Sequence, residues 1–77
     1  MWQLKMRGNE IREWSEVGSF NSIGEAARRV LELEGRNGVL SFRTYVDPCF
    51  EKSDADILCR LEHQGANAFY LLTRGVQ

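Results

Sequence analysis

Apolar and polar residues alternate at the start of the chain, in Trp2-Gln3-Leu4-Lys5-Met6. Successive side chains of an extended strand point to opposite faces, so this period of two predicts a half-buried strand with Trp2, Leu4 and Met6 inward. Gly8-Asn9 supplies a turn. In the return segment, Glu10 to Val17, the spacing of Ile11, Trp14 and Val17 fits one strand face only with a bulge near Arg12 or Glu13. The pattern therefore predicts a hairpin and leaves its register open, and a one-residue slip sends Trp14 to the other face.

The period changes after Asn21. Ser22-Ile23-Gly24-Glu25 matches a capping box, in which the Ser hydroxyl accepts from the third helical N–H and the Glu carboxylate reaches back. Ile23, Ala26, Ala27, Val30 and Leu31 follow at helical spacing, with Glu25, Arg28, Arg29 and Glu32 on the opposite side. An amphipathic helix of about three to four turns is expected, closed by Gly35 in a left-handed conformation, with Asn37-Gly38 turning the chain onward. The small residues Ala26 and Ala27 on its apolar stripe let it lie close on a sheet.

Val39 to Val46 is rich in β-branched and aromatic residues and reads as a strand, with Leu40, Phe42 and Val46 on one face and Val39, Arg43 and Tyr45 on the other. Bulk on both faces suggests a central position. Asp47-Pro48 ends it, because proline cannot donate to a ladder, and residues 49–52 form a connection.

Residues 53–64 admit two readings. As a helix, Ser53-Asp54-Ala55-Asp56 starts it, Ile57, Leu58 and Leu61 form its stripe, and Gly65 stops it. As a strand, Ile57, Cys59, Leu61 and His63 alternate with Asp56, Arg60 and Glu62, and residues 65–67 become a hairpin loop. Leu58 interrupts the alternation and the start and stop signals agree with a helix, which favours the helix. Phe69 to Thr73 has high β propensity in either case. The fold class expected is α+β, a two-layer sandwich of order ββαβαβ, or alternatively ββαβββ, with helices on one face of an antiparallel or mixed sheet.

At 77 residues, with 43% apolar side chains, the chain has room for one core, and a single small domain over 1–77 is expected. So small a core contributes only about 3–5 kcal/mol of net stability, which makes self-association an expectation. Ten Lys and Arg against eleven Asp and Glu give a net charge of -1, so no global field draws the chain to nucleic acid or an anionic membrane. No continuous apolar run suits a membrane span and Met1 to Lys5 lacks the apolar core of a signal peptide. A cytoplasmic location is expected, with Cys49 and Cys59 remaining thiols.

Few side chains gather for chemistry. Cys59 and His63, four residues apart, would meet on adjacent turns if both were helical, an arrangement that lowers a thiol pKa. The ordinary alternative makes Cys59 a core residue and His63 a polar helix-end residue. Cys49, Cys59 and His63, with Asp47, lack the tight spacing of structural zinc sites. Asp47, Glu51, Asp54 and Asp56 are what a solvated loop and a helix first turn contain. The glycines match no phosphate-binding pattern. No catalytic residue, metal or cofactor is assigned, and the chain is expected not to be an enzyme.

Basic and aromatic residues do interleave. Lys5, Arg7, Arg12 and Trp14 belong to the N-terminal hairpin, and Arg28 and Arg29 to the helix; together they form the candidate binding surface. Aromatics and Arg are enriched at interface centres, so the leading expectation is a cytoplasmic protein-interaction or self-assembling domain, with the C-terminal strand as the dimer contact if it lies at a sheet edge. The alternative is a small nucleic-acid-binding module that uses the hairpin and the Arg28/Arg29 face to hold single-stranded bases and phosphates. Glu10, Glu13 and Glu16 offset much of the hairpin's field. An enzyme built on Cys59 and His63 is a third reading.

Overall fold

The computed structural model describes residues 1–44 and 60–74. These fold as α+β: strands β1 (Trp2–Gly8) and β2 (Ser15–Phe20), helix α1 (Ile23–Glu34), then strands β3 (Arg43–Thr44), β4 (Arg60–Gln64) and β5 (Ala68–Arg74). The strands form one antiparallel sheet in the order β2-β1-β5-β4-β3.

Directly opposed residues in an antiparallel ladder share a face, so the register sorts the sheet into rows. Toward α1 lie Gly18–Leu4–Leu72–Leu61–Thr44 and Ser15–Met6–Tyr70–His63. Leu4, Leu72, Tyr70 and Ala68 are buried there with Ala26 and Val30 of α1, and Trp2, Met6, Phe20, Leu33, Leu40, Phe42 and Leu61 pack around them. The period of two in β1 thus places Trp2, Leu4 and Met6 on the core side as expected.

The helix follows its local signals. Ser22 Oγ accepts from the Glu25 N–H at 3.2 Å. The Glu25 carboxylate returns one residue further back than expected, to the Asn21 N–H at 3.0 Å. Gly35, at φ 66° and ψ 34°, closes α1, with its own N–H donating to Glu32 O and that of Arg36 to Leu31 O, the paired bonds of a Schellman ending. Ala26, Ala27 and Val30 are buried. Ile23, expected on the buried stripe, is 40% exposed because it stands at the first helical position, beyond the sheet's cover.

Four further expectations need correction. The return strand of the hairpin runs over Ser15–Phe20 rather than from Glu10, because the Ile11 N–H donates to Gly8 O and closes a turn that leaves residues 9–14 as loop. Its bulge falls at Val17, where Leu4 pairs with Gly18 and Lys5 with Glu16, not near Arg12 or Glu13. Among residues 39–44 only Arg43–Thr44 pair; Leu40 and Phe42 pack on the core without joining a ladder and Val39 is 96% exposed, and among the described strands β3 lies at the edge of the sheet rather than at its centre. Residues 45 and 46 lie outside the described residues.

The fourth concerns the C-terminal half. Arg60–Gln64 is a strand paired with β5, so the helix favoured for 53–64 does not run to Gly65. Residues 65–67 make the hairpin loop of the other reading, with the Gly65 N–H donating to Ala68 O at 2.8 Å. Residues 53–59 lie outside the described residues. β5 is the central strand, between β1 and β4, so the condition for a dimer contact through its edge is not met. Its side chains are apolar on both faces, with Ala68, Tyr70 and Leu72 buried toward α1 and Phe69 and Leu71 half-buried on the other face.

Candidate functional site

The face turned away from α1 carries the polar and aromatic side chains. Register sets out three rows across it: Glu16–Lys5–Leu71–Glu62–Arg43, then Arg7–Phe69–Gln64, then Ser19–Gln3–Thr73–Arg60. Among the described residues no helix packs on this face. Trp14, 37% exposed, leans from the hairpin loop over its edge.

Trp14, Arg7 and Phe69 form one cluster. The Trp14 and Phe69 ring centres lie 5.6 Å apart, inclined at 57°. The Arg7 guanidinium carbon is 5.2 Å from each centre, within reach of a cation–π attraction to both rings. The two rings fix a side chain that otherwise samples many rotamers, and they bury its Nε, which has no hydrogen-bond partner among the described residues. The hairpin loop is held in place by Asn9, whose Nδ2 donates to Ala66 O at 3.3 Å and whose Oδ1 accepts from Gln64 Nε2 at 2.8 Å. The two loops at this end of the sheet are thereby tied together.

Of the residues expected to form a binding surface, the structure gathers three, Lys5, Arg7 and Trp14, on this face. Arg12 is exposed in the hairpin loop. Arg28 and Arg29 sit across the sheet on α1, where they line a groove with Phe20, Glu25 and Glu32. Arg29 is bonded there to Glu32 at 3.1 Å. The hairpin and the helix arginines therefore belong to two surfaces.

Sequence reasoning missed Phe69 and Leu71 on the helix-free face and the alternation of charge through Lys5, Glu16, Glu62 and Arg43. The two-sided apolar pattern of residues 68–72 was the available signal: once this strand is central, its second face must be part of a surface.

His63 is half-buried between the Phe42 ring, 6.4 Å away and edge-on, and Tyr70, 6.3 Å away. Its Nε2 is buried without a partner among the described residues. Because His63 stands on a strand, the adjacent-turn geometry on which a Cys59/His63 pair depends does not form. Cys59, like Asp47, Cys49, Glu51, Asp54 and Asp56, lies outside the described residues. Among the described residues no three His, Cys, Asp or Glu side chains converge as metal ligands, and no helix is long and apolar enough to cross a membrane.

Glu34, the last residue of α1, forms a second polar cluster. Its carboxylate accepts from the Asn67 N–H at 3.1 and 3.3 Å and from the Tyr70 hydroxyl, and it lies over Gly65. Tyr70 is pushed up to about 12 by burial first, and then by the charge of Glu34 and the bond to it. The cluster joins the helix end to the β4–β5 loop. Comparison with protein-family models, curated proteins and solved structures finds no match for the chain.

Proposed function

We propose that this chain is a non-enzymatic, cytoplasmic protein-interaction domain that binds another polypeptide, or itself, through the helix-free sheet face. In this reading α1 and the sheet are the two layers of a sandwich, and the second sheet face, on which no helix packs among the described residues, meets a partner. The observation that carries it is the cluster of Trp14, Arg7 and Phe69 beside Leu71. Trp, Phe and Arg are enriched at the centres of interfaces; the β1–β5 register puts Arg7, Phe69 and Leu71 on one face, and Trp14 joins them through its ring contact with Phe69. Two rings holding one guanidinium lower the entropy lost when that guanidinium meets a partner.

Capture from the chain's own cell extract, with a second, differently tagged copy present, tests this. Wild type is expected to retain a polypeptide that Leu71→Glu loses and Arg28→Ala/Arg29→Ala keeps, with thermal unfolding confirming that each variant is folded. Retention by Leu71→Glu, or no bound polypeptide at all, refutes the reading. The nucleic-acid alternative has Lys5, Arg7 and Trp14 in its favour, but Glu16 and Glu62 interrupt the basic rows. Salt-dependent quenching of Trp14 by a single-stranded oligonucleotide would favour it instead.

A further inference from the structure

We infer that the occupant of the helix-free face is a second copy of this chain, packed face to face about a two-fold axis that runs along β5. The inference rests on the proposed protein-binding role of that face and adds the partner and its orientation. It is carried by the order of charges in one row, Glu16–Lys5–Leu71–Glu62–Arg43, which is negative, positive, apolar, negative, positive.

A two-fold axis along the central strand exchanges left and right. A side chain one strand to one side of β5 then meets the side chain one strand to the other side in the second copy. Lys5 faces Glu62 of the second copy, Glu16 faces its Arg43, and Leu71 meets Leu71. In the next row Arg7 faces Gln64, whose Nε2 already donates to Asn9 Oδ1 and Gly65 O, leaving the amide oxygen to accept. Phe69 meets Phe69. In the third row Gln3 faces Arg60 and Thr73 meets Thr73. Among the described residues of these rows no like charges are opposed.

The other in-plane axis, perpendicular to the strands through Leu71, sets Lys5 against Lys5, Glu62 against Glu62 and Glu16 against Glu16. Like charges across an interface are destabilising, so the pattern selects the axis along β5. Packed sheets lie about 10 Å apart with strands within about 30° of parallel, a gap that Lys, Arg and Glu side chains from both sides span. A single-stranded nucleic acid on the same face would meet two carboxylates in its central row, which disfavours that occupant.

The test uses the full chain in light scattering and sedimentation equilibrium up to about 1 mM, where even weak pairing registers. The wild-type mass is expected to rise toward twice 8.9 kDa. Lys5→Glu and Glu62→Lys should each weaken the dimer by about tenfold or more, a loss of about 1.4 kcal/mol. The double variant Lys5→Glu/Glu62→Lys should restore it to within about threefold, as opposed charges are regained. Thermal unfolding of each variant separates loss of pairing from loss of fold. A dimer indifferent to the single changes, or not rescued by the double, overturns this orientation while leaving self-assembly standing. A wild type monomeric throughout overturns the second-copy assignment, and the capture experiment then decides separately whether the face binds a different protein.

Discussion

Replacing Glu34 by Gln sets two effects of opposite sign against each other. Glu34 ends α1, where the negative end of the helix dipole disfavours a carboxylate by about 0.3–1 kcal/mol. In an isolated helix the substitution would stabilise. In the folded chain the carboxylate accepts from the Asn67 N–H through both oxygens and from the hydroxyl of Tyr70, which is 1% exposed. Hydrogen bonds to a charged group contribute about 1.5–3 kcal/mol and neutral ones about 0.5–1.5 kcal/mol. Gln keeps one acceptor oxygen without the charge, so the loss outweighs the dipole gain and Glu34→Gln should destabilise by about 1 kcal/mol. For a chain of this size that lowers Tm by about 4–8 °C.

The ionisation of Tyr70 gives an independent readout. Its folded value of about 12 lies above the ordinary 10.0, so the folded state holds the phenolic proton more tightly than the unfolded state. The associated stability, about 3 kcal/mol in all, is fully present below about pH 10 and is lost as pH rises toward 12. In Glu34→Gln burial remains but the repelling charge is gone. The phenol should then ionise at lower pH, still above 10, as followed by phenolate absorbance in a Tyr45→Phe background. A Glu34→Gln variant at least as stable as wild type, or with unchanged Tyr70 ionisation, refutes the reasoning.

Other substitutions test the same framework. Ala26→Leu adds bulk where α1 meets the sheet with no exposed surface, and should cost about 1–3 kcal/mol in chemical denaturation. Gly65→Ala sets a methyl carbon 3.0 Å from Ala68 O and onto the Glu34 carboxylate; it should destabilise wild type clearly and a Glu34→Ala background by less, the coupling being read from a double-mutant cycle. Ser22→Ala removes the acceptor for the Glu25 N–H and should lower stability by about 1 kcal/mol, measured by urea unfolding.

What could be read from the chain divides by range. The start and stop of α1 are set by Ser22, Glu25 and Gly35 acting within a few residues, so they are visible in sequence. So is the inward face of β1, because a period of two is local. Residues 60–64 were ambiguous because Gly65 serves equally as a helix stop and as a hairpin residue, and Leu58 breaks the strand alternation. The pairing of β4 with β5 decides it, and that is a tertiary fact. The central place of β5 depends on β1, some sixty residues earlier, and no local pattern encodes it. The candidate surface divides the same way: Lys5, Arg7 and Trp14 follow from hairpin geometry. The separation of Arg28 and Arg29, and the addition of Phe69 and Leu71, require knowing which strands are neighbours and on which face α1 lies.

The central claim is that the helix-free face is where this chain meets a partner. Backbone and side-chain chemical shifts followed as the full chain is concentrated, or as a captured partner is added, test it most directly. The account predicts that the changes gather at Lys5, Arg7, Trp14, Glu62, Phe69 and Leu71 and leave Arg28 and Arg29 unmoved. Changes confined to the outer side of α1 or to the β2 end of the sheet would contradict it.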